Sequence, residues 1–198
     1  MSVVLAIKKN GRIYMAADSQ STYGDTKYTH INEASRKISR FENGMLLGHV
    51  GMVHNRQIIC AHPEYFTLPE DWELTKKYVV QNIIPKIFKC YRDNEMRETE
   101  KDEPAKLGDS YLLAHRDKLF MMDGVFDVTE VTRYAAIGSG NDMALAGLCA
   151  LDAEEISDEK IIEDRLAELL RISASRDVAV SGPYFLIDTV GQNYKMVH

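Results

Sequence analysis

The segment SVVLAIKKNGRIYMAAD, residues 2–18, predicts more of the architecture than any other part of the chain. Apolar side chains fill positions 3–7 almost without interruption, which is typical of a strand covered on both faces. Asn10-Gly11 is the strongest short hairpin signal in the sequence. Residues 12–17 then return as the partner strand, which ends at Asp18. We therefore expect a buried β-hairpin at the start of the chain.

The remaining segments predict helices that come in pairs between runs of strands. Helices are expected at 52–61, 67–93, 141–151 and 157–175, the second beginning at the capping box Thr67-Leu68-Pro69-Glu70 and kinked at Pro85. Residues 93–106 are almost wholly polar and predict a solvated helix end and loop. Further strands are expected at 36–41, 44–50, 110–115, 118–122, 133–137, 177–180, 183–189 and 194–197. This order predicts an α+β fold, a four-layer αββα sandwich of two antiparallel sheets between paired helices.

Composition excludes several functional classes. The 198 residues are 45% hydrophobic and 27% charged, which is ordinary for a folded domain, so we expect a single domain over residues 1–198. No apolar run approaches the roughly 20 residues that span a bilayer, and the N-terminal basic pair follows the apolar stretch, which argues against a secretory signal and for the cytoplasm. A net charge of −6 argues against nucleic-acid binding. The three cysteines, Cys60, Cys90 and Cys149, are expected to be free thiols.

Common catalytic and cofactor motifs are missing from the sequence. It contains no G-x-S-x-G, H-E-x-x-H, P-loop or S-x-x-K. His49 and His54 are the closest histidine pair, and they do not form a metal-binding motif. The segment 137–141 (IGSGN) is a turn that leads into a helix, as in a dinucleotide-binding site. However, Met143 stands where such a site needs its third glycine. We therefore expect neither a metal nor a cofactor.

Ser2 is the residue whose functional groups are most suited to catalysis. It is small enough for removal of Met1 to be expected, which would leave an α-amine and a hydroxyl on one residue. An α-amine has a reference pKa of about 8 and can act as base for its own hydroxyl. A serine at position 2 is common in cytosolic proteins. Its assignment as a nucleophile therefore depends on the surrounding sequence.

That context resembles proteasome β-type subunits, and above all the HslV (ClpQ) peptidases, which are N-terminal-nucleophile hydrolases. The similarity runs along nearly the whole chain. Its motifs occur in the family's order: the opening hairpin with its A-x-D-x-Q segment, then RKISRF, MLLGHVG, AAIGSGNDMALAGLCAL and RDVAVSGP. Each motif is modest alone, but their common order is specific.

The resemblance implies a role for each matching residue. Ser2 is the nucleophile, Lys37 lowers the pKa of its hydroxyl, and Asp18 orients the lysine. The N–H of Gly48 is expected to stabilise the oxyanion. Leu46 and Val50, which flank that glycine, indicate an apolar wall for the substrate pocket. Supporting hydrogen bonds are expected from Ser139, Asp177 and Ser181.

The implied function is peptide-bond hydrolysis by a cytoplasmic, homo-oligomeric ring, possibly fed with peptides or unfolded protein by a AAA+ unfoldase. Serine replaces the family's usual threonine, and a retained Met1 would block the α-amine of Ser2. Two alternatives stay open. One is a non-catalytic ring or scaffold subunit, which a retained Met1 would favour. The other is an N-terminal-nucleophile amidohydrolase that acts on a small amide.

Overall fold

The computed structural model describes residues 2–32, 36–94 and 108–198. Within these ranges the strands are β1 Val3–Lys9, β2 Arg12–Ala17, β3 Gln20–Tyr23, β4 Thr26–Thr29, β5 Ile38–Arg40, β6 Leu46–Val50, β7 Ser110–His115, β8 Lys118–Met122, β9 Val128–Val131, β10 Tyr134–Gly138, β11 Tyr184–Asp188 and β12 Lys195–Val197. The helices are α1 Val53–Cys60, α2 Lys76–Tyr78, α3 Ile84–Asp93, α4 Asn141–Ala153 and α5 Glu159–Ala174. None of the helices in the described ranges is long and apolar enough to cross a membrane.

Ten of these strands form two five-stranded antiparallel sheets. The first has the order β10-β1-β2-β11-β12, and the second has the order β5-β6-β7-β8-β9. The predicted N-terminal hairpin is therefore the centre of the first sheet. β3 and β4 form a separate hairpin that follows β2 in the chain.

The two sheets pack face to face, and helices cover both outer faces. Val4 and Met15 of the first sheet share one apolar cluster with Ile38 and Leu112 of the second. The outer face of the first sheet packs against α4 and α5, and the outer face of the second packs against α1 and α3. This is the αββα layer order predicted from the sequence.

The second predicted helix begins later than expected. Thr75, rather than Thr67, caps it, because the Thr75 side chain accepts a hydrogen bond from the Tyr78 N–H at 3.1 Å. The Thr67 hydroxyl instead donates to the Glu64 carbonyl at 3.2 Å, at the end of the 3-10 turn Pro63–Phe66. Pro85 follows a π-helical turn, Val79–Ile83, so the irregularity expected at the proline precedes it.

Two further local predictions differ from the structure. The predicted strand at 177–180 is a turn, because the Asp177 carboxylate accepts the Ala179 N–H at 2.9 Å and its carbonyl accepts the Val180 N–H at 3.0 Å. The β3–β4 hairpin and β9 were not predicted; β4 is exposed throughout and therefore lacks an apolar pattern. Most of the polar segment 93–106 lies outside the described residues.

Candidate active site

Ser2 is held at the head of β1 by the turn that follows β10. Its backbone N–H donates to the Ser139 hydroxyl at 3.2 Å, and its carbonyl accepts the Gly140 N–H at 3.3 Å. A Cβ at Gly138 would lie 2.2 Å from the Ser2 carbonyl oxygen, and the φ of Gly138 is +100°. Only glycine allows this approach. Ser2 is consequently 5% exposed and fixed in position.

Asp18 connects the start of β1 with the lysine predicted to assist the nucleophile. Its carboxylate is fully buried and accepts the Val3 N–H at 2.9 Å and the Lys37 Nζ at 2.6 Å on the same oxygen. The other oxygen accepts the Gln20 N–H at 3.0 Å. Asp18 therefore fixes both the backbone next to Ser2 and the ammonium group of Lys37.

Lys37 is buried at the edge of the second sheet, immediately before β5. Burial is the largest influence on its pKa, which it lowers, and Asp18 opposes the shift without cancelling it. Arg56 also lowers the pKa of Lys37, whereas Asp177 raises it. The lysine is thus a cation that gives up its proton more readily than an exposed lysine.

Ser2 and Lys37 line a common cleft of about 530 Å³ between the two sheets and the start of α1. Its wall also includes Gly51, His30, His49 and Arg56. This is where an attacked carbonyl group could reach the Ser2 hydroxyl.

Gly48 does not line this cleft, although the resemblance implied that its N–H binds the oxyanion. It lies within β6, opposite Ile38 of β5 on one side and Leu112 of β7 on the other. The His49 N–H donates to the Lys37 carbonyl at 2.9 Å, on the β5 side. Because successive N–H groups of a strand point in opposite directions, the N–H of Gly48 points towards β7 and away from the cleft. The oxyanion role expected for Gly48 stays a prediction.

The missing side chain of Gly48 serves the packing of the two sheets. A Cβ there would lie 2.7 Å from Val4 Cγ1 and 3.0 Å from Met15 Sδ. Leu46 belongs to the core between the sheets, and the partly buried Val50 packs against that core. The expected apolar pocket wall stays a prediction. Gly51, not Gly48, is the β6-end glycine that lines the cleft.

The two remaining predicted residues lie in the turn after α5. Asp177 is close enough to Lys37 to raise the pKa of that lysine, and its Oδ2 has no hydrogen-bond partner within the described residues. Ser181 accepts the Ser19 N–H with its carbonyl at 3.1 Å. Its buried hydroxyl is likewise unpartnered in the described part of the chain. The structure thus pairs Ser2 with Ser139 and Asp18 with Lys37 by hydrogen bonds, and Asp177 lies near Lys37.

The sequence interpretation missed Asp109, which holds the back of the cleft together. Its carboxylate accepts the Met52 N–H at 2.9 Å and the Asn55 side-chain amide at 2.7 Å, and the Tyr91 hydroxyl also donates to it. His49 Nε2 lies 3.4 Å from it. Burial raises the pKa of Asp109, but contacts with His49, Tyr91 and Asn55 outweigh burial and lower it. No sequence signal marks Asp109, because it lies three residues after a long polar segment.

Solved structures with the same fold place the chain in a structural class. Thiobacillus denitrificans BPH in complex with epoxomicin superposes with a TM-score of 0.73 at 19% identity, covering 94% of this chain and 97% of that one. Eukaryotic HslV from Trypanosoma brucei superposes with a TM-score of 0.62 at 17% identity, covering 94% and 98%. The fold is that of the proteasome and HslV class, which confirms the predicted αββα sandwich.

Sequence comparison then gives the family. A model described as "Proteasome subunit" matches residues 2–183. Proteins named ATP-dependent protease subunit HslV are 32% identical in Desulfovibrio desulfuricans and 30% identical in Pseudothermotoga lettingae. Each match covers 81% of this chain and 86% of the relative. This chain belongs to the proteasome subunit family and is HslV-like, as the resemblance predicted.

Proposed function

We propose that this HslV-like subunit hydrolyses peptide bonds, with Ser2 as the N-terminal nucleophile once Met1 has been removed. The observation that carries the proposal is the position of Ser2, which is buried at the head of β1 and shares a cleft with the Asp18–Lys37 pair. A subunit with a purely architectural role has no use for a buried lysine–aspartate pair beside its first residue. Met1 itself lies outside the described residues.

In the proposed reaction, the Ser2 hydroxyl oxygen forms a bond to the carbonyl carbon of the substrate, and its proton passes to the α-amine of Ser2. Ser139, which accepts a hydrogen bond from the nitrogen of Ser2 at 3.2 Å, orients that amine. The carbon–nitrogen bond of the peptide then breaks, the amine leaves with the proton, and an ester on Ser2 remains. Water then attacks the ester carbon and gives a proton to the α-amine. The bond between that carbon and the Ser2 oxygen breaks, the carboxylic acid product leaves, and the proton returns to the oxygen to regenerate the hydroxyl.

Lys37 contributes its positive charge. A cation near the Ser2 hydroxyl favours the alkoxide that develops during attack, and Asp18 keeps the ammonium group in place at 2.6 Å. The lowered pKa of Lys37, caused first by burial, suits a group that shares a proton with the α-amine. Asp177 and Ser181 are proposed to support this arrangement from the turn after α5.

The oxyanion donor is proposed to be the backbone at Gly51 rather than at Gly48. Gly51 lines the cleft with Ser2, and the carboxylate of Asp109 fixes the turn by accepting the N–H of the next residue, Met52. A rigid backbone donor of this kind needs no reorganisation when negative charge develops.

We further propose that residues 1–198 form one domain and that copies of the chain assemble into a closed ring in the cytoplasm. The curated relatives are named ATP-dependent protease subunits, yet this sequence contains no P-loop. A separate AAA+ unfoldase would supply that ATP dependence and deliver unfolded protein to the cleft.

Covalent labelling tests the nucleophile. Protein that begins at Ser2 should take up one peptide vinyl sulfone or β-lactone per chain, located at Ser2 by mass spectrometry. Ser2→Ala and a form that retains Met1 should not be labelled. Ser175→Ala, which removes an exposed hydroxyl at the end of α5, is the matched control and should be labelled normally. Labelling that survives Ser2→Ala would place the nucleophile elsewhere and overturn the mechanism.

A further inference from the structure

Arg56 of α1 is a buried cation that lines the cleft beside Ser2. It is 4% exposed, and its Nη1 donates to the Arg36 carbonyl at 2.5 Å. Its Nη2 is buried without a hydrogen-bond partner among residues 2–32, 36–94 and 108–198. Within the same ranges no carboxylate forms an ion pair with its guanidinium, in contrast to Lys37, whose charge is matched by Asp18.

The charge of Arg56 acts on the interior of the cleft. Burial is the largest cause that lowers the pKa of His30, His49 and Lys37, and the charge of Arg56 lowers each of them further. Because burial keeps the pKa of His49 low, His49 does not add a second full charge at neutral pH. The cleft therefore contains one guanidinium whose charge is not balanced by the described residues.

Burying an unpaired charge is costly, and a planar guanidinium that keeps a donor nitrogen available matches a carboxylate well. Inside an intact polypeptide, the carboxylates are those of aspartate and glutamate side chains. We infer that Arg56 binds the acidic side chain of the substrate residue whose carbonyl group Ser2 attacks. This inference rests on the proposed function. The enzyme then cleaves after glutamate or aspartate.

This assignment also explains the wall of the cleft. His49 and Arg56 line the cleft and add polar groups to a wall that also includes Met52 and Val53. The hydrogen bond from Asn55 to Asp109, at 2.7 Å, fixes the first turn of α1, and the bond from Arg56 Nη1 to the Arg36 carbonyl holds the guanidinium. The acidic side chain would therefore lie against the polar part of this wall.

Matched peptides test the inference in protein that begins at Ser2. Two peptides that differ only in glutamate or glutamine at the cleaved position have nearly the same shape and differ in charge. We expect kcat/KM to be at least about tenfold higher for glutamate, since a charge-assisted hydrogen bond to the guanidinium is lost with glutamine. Arg56→Gln should remove the difference and Arg56→Lys should retain part of it. Arg92→Gln, at an exposed position of α3, is the control and should keep it. Equal rates for the two peptides in wild type would overturn the inference.

A binding measurement separates this inference from the proposed function. Fluorescence anisotropy of the same labelled peptides with Ser2→Ala protein requires no catalysis. Tighter binding of the glutamate peptide that disappears in Ser2→Ala/Arg56→Gln supports the acidic pocket, even if Ser2 proves not to be the nucleophile. Equal affinity for both peptides, or a preference that persists without Arg56, contradicts it, even if Ser2 is labelled as proposed.

Discussion

A single buried carboxylate organises the candidate site at the scale of residues. Asp18 accepts hydrogen bonds from the Val3 N–H, the Gln20 N–H and the Lys37 ammonium group. The first two fix backbone on either side of the site, and the third fixes a charge. Burial holds the pKa of Lys37 below its usual value in spite of this partner. The buried pair with Asp18 therefore determines both the position of the Lys37 ammonium group and its affinity for a proton.

Replacement of Lys37 tests this arrangement. Lys37→Ala removes the charge, and Lys37→Arg keeps it on a wider, planar group that does not fit the space of an ammonium bonded to Asp18. Both should lower kcat by on the order of a hundredfold, as expected for a positioned catalytic group. Lys89→Arg, at an exposed position of α3, is the control. Peptidase rates for Lys37→Arg within about twofold of wild type would remove Lys37 from the mechanism.

His49 makes the stability of the fold depend on pH. Burial lowers its pKa, and the nearby Asp109 only partly opposes that shift. The unfolded chain therefore binds a proton below a pH of about 6.5 that the folded chain resists, so stability falls as the pH decreases through that region. His49→Gln should flatten the dependence of the unfolding free energy on pH between about 7 and 5, measured by urea titration. An unchanged slope would contradict this, and exposed His54→Gln serves as control.

At the scale of elements, the turn between β6 and α1 is the most constrained part of the site. Gly51 has a φ of +147°, and a Cβ there would lie 1.7 Å from Asp109 Oδ1. Any side chain would therefore displace the carboxylate that binds Met52, Asn55 and Tyr91.

Gly51→Ala should accordingly cost about 3 kcal/mol or more, since backbone strain is added to the loss of buried hydrogen bonds. The matched control is Gly24→Ala in the β3–β4 turn, where φ is also positive but no atom lies within 4 Å. It should cost only about 1–2 kcal/mol, from the backbone conformation alone. Urea unfolding of both variants measures the difference, and equal costs would show that Asp109 moves aside freely.

The sequence predicted elements well where apolar patterns were continuous and poorly where a local cap determined the outcome. β7 and β8 have the predicted bounds, because each is a buried apolar run next to a turn. The helix predicted from Thr67 starts at Lys76, because Thr67 and Thr75 both suit a cap and only tertiary packing selects one. Likewise, the side chain of Asp177 closes a turn where a strand was expected.

The site was predictable to the extent that its residues belong to ordered motifs. Ser2, Asp18, Lys37 and Ser139 were each assigned from a segment and are brought together by the structure. The proposal of Gly51 instead of Gly48 as oxyanion donor needed the structure, because it depends on which side of β6 each N–H faces. Arg56 and Asp109 are single polar residues without a motif, and only the fold brings them to the cleft.

At the scale of the whole molecule, the outer helix layer supports assembly. Met143 of α4 and Ile161 and Ile172 of α5 are exposed apolar side chains on that layer. Together with the family membership, they predict a closed oligomer of many times the 22.5 kDa chain mass. Light scattering should report such a particle for wild type, and equally for Ser2→Ala, which changes one atom at a chain end. A monomer at micromolar concentration would contradict the ring.

The burial of Ser2 also has a consequence for timing. The residue is 5% exposed, and its nitrogen and carbonyl are bonded to the turn after β10, which is more than a hundred residues away in the chain. Under the proposed removal of Met1, the new α-amine of Ser2 meets Ser139 only after the turn that follows β10 has been synthesised and has folded against β1. The hydroxyl of Ser2 therefore acquires its oriented base late, and an unfinished chain carries no competent nucleophile.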